Sequence, residues 1–112
     1  MWLFGQRGFL SIVQHKDDPD CLLVRSRVKG DIETIFPKAK VERTETADYL
    51  YRAKIPRAEV VKAAADIVSR ITYTSFKGDM EDRRRRYPYY IEIWSVLSGM
   101  QQDLDMEEAL SK

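Results

Sequence analysis

"GFLSIVQHKDDPDCLLVRSRV", residues 8–28, sets two β-prone runs on either side of a charged break, and the way they pair decides the fold. Gly8–His15 and Cys21–Val28 are rich in aliphatic and β-branched residues, whereas Lys16-Asp17-Asp18-Pro19-Asp20 has the composition of a turn. The segment therefore reads as a hairpin. Along its second strand Leu22, Val24 and Val28 share one face with Ser26, and Leu23, Arg25 and Arg27 take the other, so one side of the sheet is buried and the other partly wet.

Working outward, Asp31–Phe36 predicts a two-turn helix. Asp31 is placed to cap it, Ile32, Ile35 and Phe36 lie on one face, and Pro37 ends it. Lys40–Thr46 and Tyr49–Ile55 read as a second hairpin around Ala47-Asp48. Tyr49, Tyr51, Ala53 and Ile55 alternate there with Leu50, Arg52 and Lys54. Pro56 opens a helix running to about Ile71, with Val60, Ala64, Ile67, Val68 and Ile71 as its apolar stripe. A link, Thr72–Asp82, leads to a last helix over Tyr87–Gln101, where Tyr90, Ile93, Trp94 and Leu97 recur at helical spacing and Val96 and Met100 widen the stripe.

The expected class is α+β: a four-stranded, mainly antiparallel sheet with helices on one face, plus a C-terminal helix. If Cys21–Val28 and Tyr49–Ile55 are parallel neighbours, the topology is a circularly permuted ferredoxin-like arrangement; a plain antiparallel sheet in chain order is the alternative. Residues 1–102 are expected to form one domain. Residues 103–112 are expected to be an acidic tail, frayed or carrying a short unshielded helix.

With 112 residues the chain has room for one modest core. Apolar residues make up 44% and charged residues 33%, outside the disordered corner of composition. A formal net charge of +1 means that any polyanion would have to be held by a local patch. The single cysteine, Cys21, rules out an internal disulfide and fits a reducing, cytoplasmic setting. The start of the chain lacks a basic segment followed by a long apolar stretch, and no apolar run approaches the length of a membrane span.

Catalytic readings are thin. His15 and Cys21 flank the first turn and could form a nucleophile pair, but with one histidine and one cysteine a zinc site would need an unusual carboxylate mixture. Asp17, Asp18 and Asp20 lack the glycine and closing glutamate of a calcium loop. No phosphate-loop, dinucleotide or metalloprotease motif occurs. No catalytic residue, cofactor or metal is expected.

Binding readings carry more. Arg25, Arg27, Arg52 and Lys54 gather on the outward sheet face, a possible platform for single-stranded nucleic acid, although the predicted outward positions lack stacking aromatics. Arg83, Arg84, Arg85 and Arg86 precede Tyr87, Tyr89, Tyr90 and Trp94, which together have the arginine and aromatic content of a protein interface. Arginines in a first helical turn would oppose the helix dipole, so either the helix starts near Pro88 or an arginine reaches an acid such as Glu81, Glu92 or one on another chain. Tyr73, Phe76, Lys77 and Arg86 could line a small-ligand or peptide pocket. The expected partner is a protein or a second copy, with nucleic acid second and no membrane.

"GFLSIVQHKDDPDCLLVRSRVKGD", residues 8–31, "ITYTSFKGDM", residues 71–80, and "YPYYIEIWSVL", residues 87–97, resemble a family of small uncharacterised bacterial cytoplasmic proteins. The likeness rests on Phe9 and Ser11–Val13, the Val-Arg-Ser-Arg strand Val24–Arg27, the Tyr-x-Ser-Phe-Lys segment at Tyr73 and Ser75–Lys77, and Ile93-Trp94. It implies a compact bacterial domain and no particular activity. The "MEDRRRR" run departs from it, since family-like sequences carry a milder mixed-charge link there.

Overall fold

The computed structural model describes residues 1–111. The chain divides after Thr72 into two compact units. The first holds β1 (Trp2–Phe4), β2 (Phe9–Gln14), β3 (Cys21–Ser26), α1 (Asp31–Ile35), β4 (Glu42–Arg43), β5 (Tyr51–Pro56) and α2 (Arg57–Ser69). The second holds α3 (Phe76–Met80) and α4 (Tyr87–Ser111).

The class is α+β, with a five-stranded sheet in order β1-β2-β3-β5-β4 whose neighbours are all antiparallel. The hairpin over residues 8–28 forms as its composition requires, with Ile12 opposite Val24 and Val13 opposite Leu23. The fifth strand is β1, which is too short for alternation to announce it. Its pairing continues past the strand end, where the Ile12 amide donates to the Met1 carbonyl at 2.8 Å.

Cys21–Ser26 and Tyr51–Pro56 are neighbours, but they run antiparallel, with Cys21 opposite Pro56 and Ser26 opposite Tyr51. The parallel pairing of a permuted ferredoxin-like sheet is therefore corrected, and so is the plain order, because β5 lies between β3 and β4. The chain between β3 and β5, residues 27–50, passes through α1 and β4 and re-enters the sheet at the end where β3 leaves it, so β5 runs antiparallel to both of its neighbours.

Leu10, Ile12, Val24, Ala53 and Ile55 from the sheet, Ile32 and Phe36 from α1 and its end, and Val60 from α2 form the core. Of the stripe expected on α2, Val60 is buried, whereas Val68 and Ile71 are exposed. Arg57 ties the start of α2 to the first turn. Its amide donates to the Asp20 carbonyl, and its guanidinium donates to the Pro19 carbonyl and to Gln14 Oε1.

Asp31 does not cap α1. Gly30 holds the cap position with φ of 95°, which a side chain would strain, and Asp31 is buried as the first helical residue. Its Oδ2 instead accepts the Phe9 amide at 3.0 Å. A Cβ at Gly8 would lie 2.7 Å from Asp31 Cγ, so this approach requires the missing side chain.

In the second unit, Ser75 caps α3 by accepting the Gly78 amide at 3.1 Å. The acidic segment expected to end the domain at residue 102 continues α4 without a break as far as Ser111; Lys112 lies outside the described residues. Among the described residues, no helix is long and apolar enough to cross a membrane.

Candidate functional site

The outward face of the sheet is organised as a row. Trp2 lies opposite Ser11, Ser11 opposite Arg25, Arg25 opposite Arg52, and Arg52 opposite Glu42, so one register line crosses all five strands. Arg25 and Arg52 are like charges set side by side, an arrangement that disfavours the sheet unless something else holds them. Arg25 donates to Ser11 Oγ at 2.9 Å, and Arg52 to the Tyr49 carbonyl at 3.4 Å, while the Nε of each is buried without a hydrogen-bond partner. Arg25 and Arg27 both lie over the Tyr49 ring, 4.6 and 4.3 Å from its centroid. Tyr49, which sequence alternation had assigned to the core face, is buried on the outward side, against these two guanidiniums and the Phe9 ring.

Lys54 leaves the cationic group, because its amino group pairs with Asp18 at 3.3 Å. Among the described residues, Arg25, Arg27 and Arg52 make no ion pair. The aromatic side chains missing from the predicted platform come from positions the sequence did not put there. Trp2 is two-thirds exposed, and Phe4 stacks on Phe9 at 4.4 Å beside it. Phe9 in turn lies 6.4 Å from Tyr49. The signal that could have found them is the pair "WLF" and "GFL", which oppose once β1 is recognised.

His15 and Cys21 do not form a reactive pair. His15 Nδ1 accepts the Asp17 amide at 3.2 Å. Desolvation, and then the thiol's hydrogen bond to Asp18, push the Cys21 thiol above its ordinary value, which opposes thiolate formation. The same thiol, the Asp20 amide and Lys54 hold the Asp18 carboxyl below the usual carboxylate range. The Asp17–Asp20 run is thus a self-bonded turn in which the Asp20 amide donates to Asp18 Oδ1.

In the second unit, Ser75, Phe76, Lys77, Met80, Tyr87, Tyr90, Ile91 and Trp94 line a cleft of about 280 Å³. Two of the four residues expected for a pocket, Phe76 and Lys77, line it; Tyr73 stands behind Phe76 at 5.7 Å, and Arg86 is not in the lining. Phe76 stacks on Tyr90 at 6.0 Å, and the Lys77 amino group lies 4.3 Å from the Trp94 ring. The cleft's cation is already matched to an aromatic face of its own wall.

The arginine run precedes the helix rather than occupying its first turn. Arg83–Arg86 is a turn whose Arg83 carbonyl accepts the Tyr87 amide at 2.9 Å, and α4 starts at Tyr87. Arg83 comes within 3.9 Å of Asp79, not of Glu81 or Glu92. Arg84 and Arg85 are exposed and, among the described residues, make no ion pair.

From that turn α4 presents two apolar arcs. Tyr87, Tyr90, Ile91 and Trp94 face the cleft. Roughly a third of the way round the helix, Tyr89, Ile93, Val96, Leu97, Met100 and Leu104 form a second stripe. All but Ile93 are more than half exposed, and no residue of α4 is buried. The expected interface residues therefore separate, with Tyr87, Tyr90 and Trp94 on the cleft and Tyr89 on the open stripe. Val96, Met100 and Leu104 join Tyr89, and the extension of the helix past Gln101 is what places Leu104 there.

Compared with known proteins, the chain matches no family model, no curated protein and no solved structure.

Proposed function

We propose that the chain is a small, non-enzymatic protein-interaction factor of the cytoplasm, whose contact surface is the basic turn Arg83–Arg86 together with the open apolar stripe of α4. The observation that carries this reading is the stripe itself: a 25-residue helix with no buried residue and five large apolar side chains more than half exposed along one line. Contiguous apolar surface of this kind is costly in water and marks a site that another surface covers. The adjoining arginines and tyrosines have the composition of interface anchors. The motif likeness to small bacterial domains is compatible with this role.

The test compares wild-type protein with Val96→Glu in solution mass and in capture of partners at matched concentration. The reading expects a complex that Val96→Glu loses, with the far-ultraviolet circular dichroism of the two proteins alike. If the two proteins form the same complexes, or none, the reading is wrong.

A second reading places single-stranded nucleic acid on the outward sheet face. It is favoured by the row in which Trp2 lies in line with Arg25 and Arg52, with Phe4 and Phe9 beside it. Phosphates would meet the unpaired guanidiniums and a base would stack on Trp2. Titration of short oligonucleotides should then show affinity that falls with salt and drops on Trp2→Ala. Absence of binding at low salt removes this reading.

A further inference from the structure

The two ends of α4 carry opposite charge. Four arginines, Arg83 to Arg86, precede its first turn, and four carboxylates, Asp103, Asp105, Glu107 and Glu108, crowd its last turns. The open stripe from Tyr89 to Leu104 runs between them for about 22 Å. A helix built this way is self-complementary in one direction only. Laid parallel on a second copy, it sets arginine on arginine and carboxylate on carboxylate. Laid antiparallel, it sets each basic end on an acidic end.

The apolar positions suit the antiparallel arrangement that the charged ends select. Tyr89, Ile93, Val96 and Met100 are spaced four, three and four apart, the alternation of a coiled-coil seam. An antiparallel partner that brings Tyr89 opposite Met100 also brings Ile93 opposite Val96. In that register the basic turn before α4 lies toward the acidic last turns of the partner helix. Resting on the reading of α4 as a contact surface, we infer that its occupant is a second copy of this chain, docked antiparallel about a two-fold axis near Trp94-Ser95. Such an isologous contact closes on itself as a dimer.

The seam is short. Six side chains from each copy cover on the order of 1,000 Å² in total, at the lower limit for a specific interface. The dimer is therefore expected to dissociate in the micromolar range and to weaken with salt, since its ion pairs lie at the exposed ends.

The test uses the full chain and three measurements of mass against concentration, with circular dichroism to verify helix content. An acid-ended variant (Arg83→Glu, Arg84→Glu, Arg85→Glu) and a base-ended variant (Asp103→Lys, Asp105→Lys, Glu107→Lys) should each dimerise at least tenfold more weakly than wild type. Mixed in equal amounts, the two should form a heterodimer. Direction is read by disulfide formation in a Cys21→Ser background: a Tyr89→Cys chain should crosslink to a Met100→Cys chain and not to itself. Charge variants that dimerise as well as wild type, or crosslinking of Tyr89→Cys with itself alone, overturn the antiparallel assignment. A wild type that stays monomeric at several hundred micromolar overturns self-pairing. If Val96→Glu still removes another bound protein in that case, only the identity of the occupant was wrong; if it changes nothing, the contact-surface reading falls as well.

Discussion

β3 and α4 make an instructive pair. Both are rich in large apolar residues, but β3 buries Val24 completely between strands on either side, while α4 buries nothing along 25 residues. The strand has two neighbours that satisfy its backbone and a helix layer over one face. The helix satisfies its own backbone and so can persist with its stripe open. Apolar content alone therefore does not say whether a segment belongs to a core.

If that contrast is right, equivalent deletions should have very unequal effects. Ile32→Ala empties a fully buried site and should cost about 2–5 kcal/mol, whereas Leu104→Ala should change the stability of the monomer by less than about 0.5 kcal/mol. Each unit contains one tryptophan, Trp2 or Trp94, so single Trp→Phe backgrounds allow urea unfolding of each unit to be followed by fluorescence. Equal losses for the two substitutions would dissolve the distinction.

A smaller effect comes from the two glycines that represent the two regions. Gly8→Ala drives a methyl group into Asp31 Cγ, where the buried carboxylate also holds the Phe9 amide, and should cost about 1–3 kcal/mol. Gly99→Ala meets no atom within 4 Å and should stabilise α4 by up to about 1 kcal/mol, visible as a gain in helical circular dichroism on heating. The opposite signs are the informative part.

The smallest effect is chemical. Asp18→Asn removes the carboxylate that, after burial, holds the Cys21 thiol protonated, so alkylation of Cys21 at neutral pH should speed up. The linked pH dependence has a definite sign. Asp18 titrates below its ordinary value in the folded chain, so its contribution is complete above the usual carboxylate range and is lost as pH falls toward the depressed value. The contribution is small because the Asp18–Lys54 pair is half exposed, and Asp18→Asn should flatten that part of an acid-unfolding curve.

Much of the first unit was legible. The Asp- and Pro-rich turn at residues 16–20, the alternation through Cys21–Ser26 and the helix after Pro56 announce themselves locally, because turn chemistry and side-chain period act within a few residues. Three features were not. β1 has only three residues and exists because β2 offers it an edge. The second hairpin shrinks to Glu42–Arg43 against Arg52 and Tyr51, since most of Lys40–Thr46 has no pairing partner. Tyr49 obeys strand alternation on paper but lies before β5, where Arg25 and Arg27 enclose it.

The candidate sites divide the same way. Arg25 and Arg52 were assigned to one outward face from alternation alone, and the register places them side by side. That Trp2, Phe4 and Phe9 join them depended on an edge strand invisible in the sequence. Arg83–Arg86 was evident as a run of charge, but its nearest acid, Asp79, is brought close by the turn that ends α3.

By itself the sequence determined the α+β class, the hairpin over residues 8–28, the two-faced strands and the position of the longer helices, since each follows from local period and turn residues. Only the tertiary structure decided the strand order and sense, because these depend on which edge of β3 the chain meets after α1 and β4, a pairing between residues far apart in sequence. It alone also decided which apolar residues are core. Burial is a property of what packs against a residue, and for the outer stripe of α4 nothing in its own unit does.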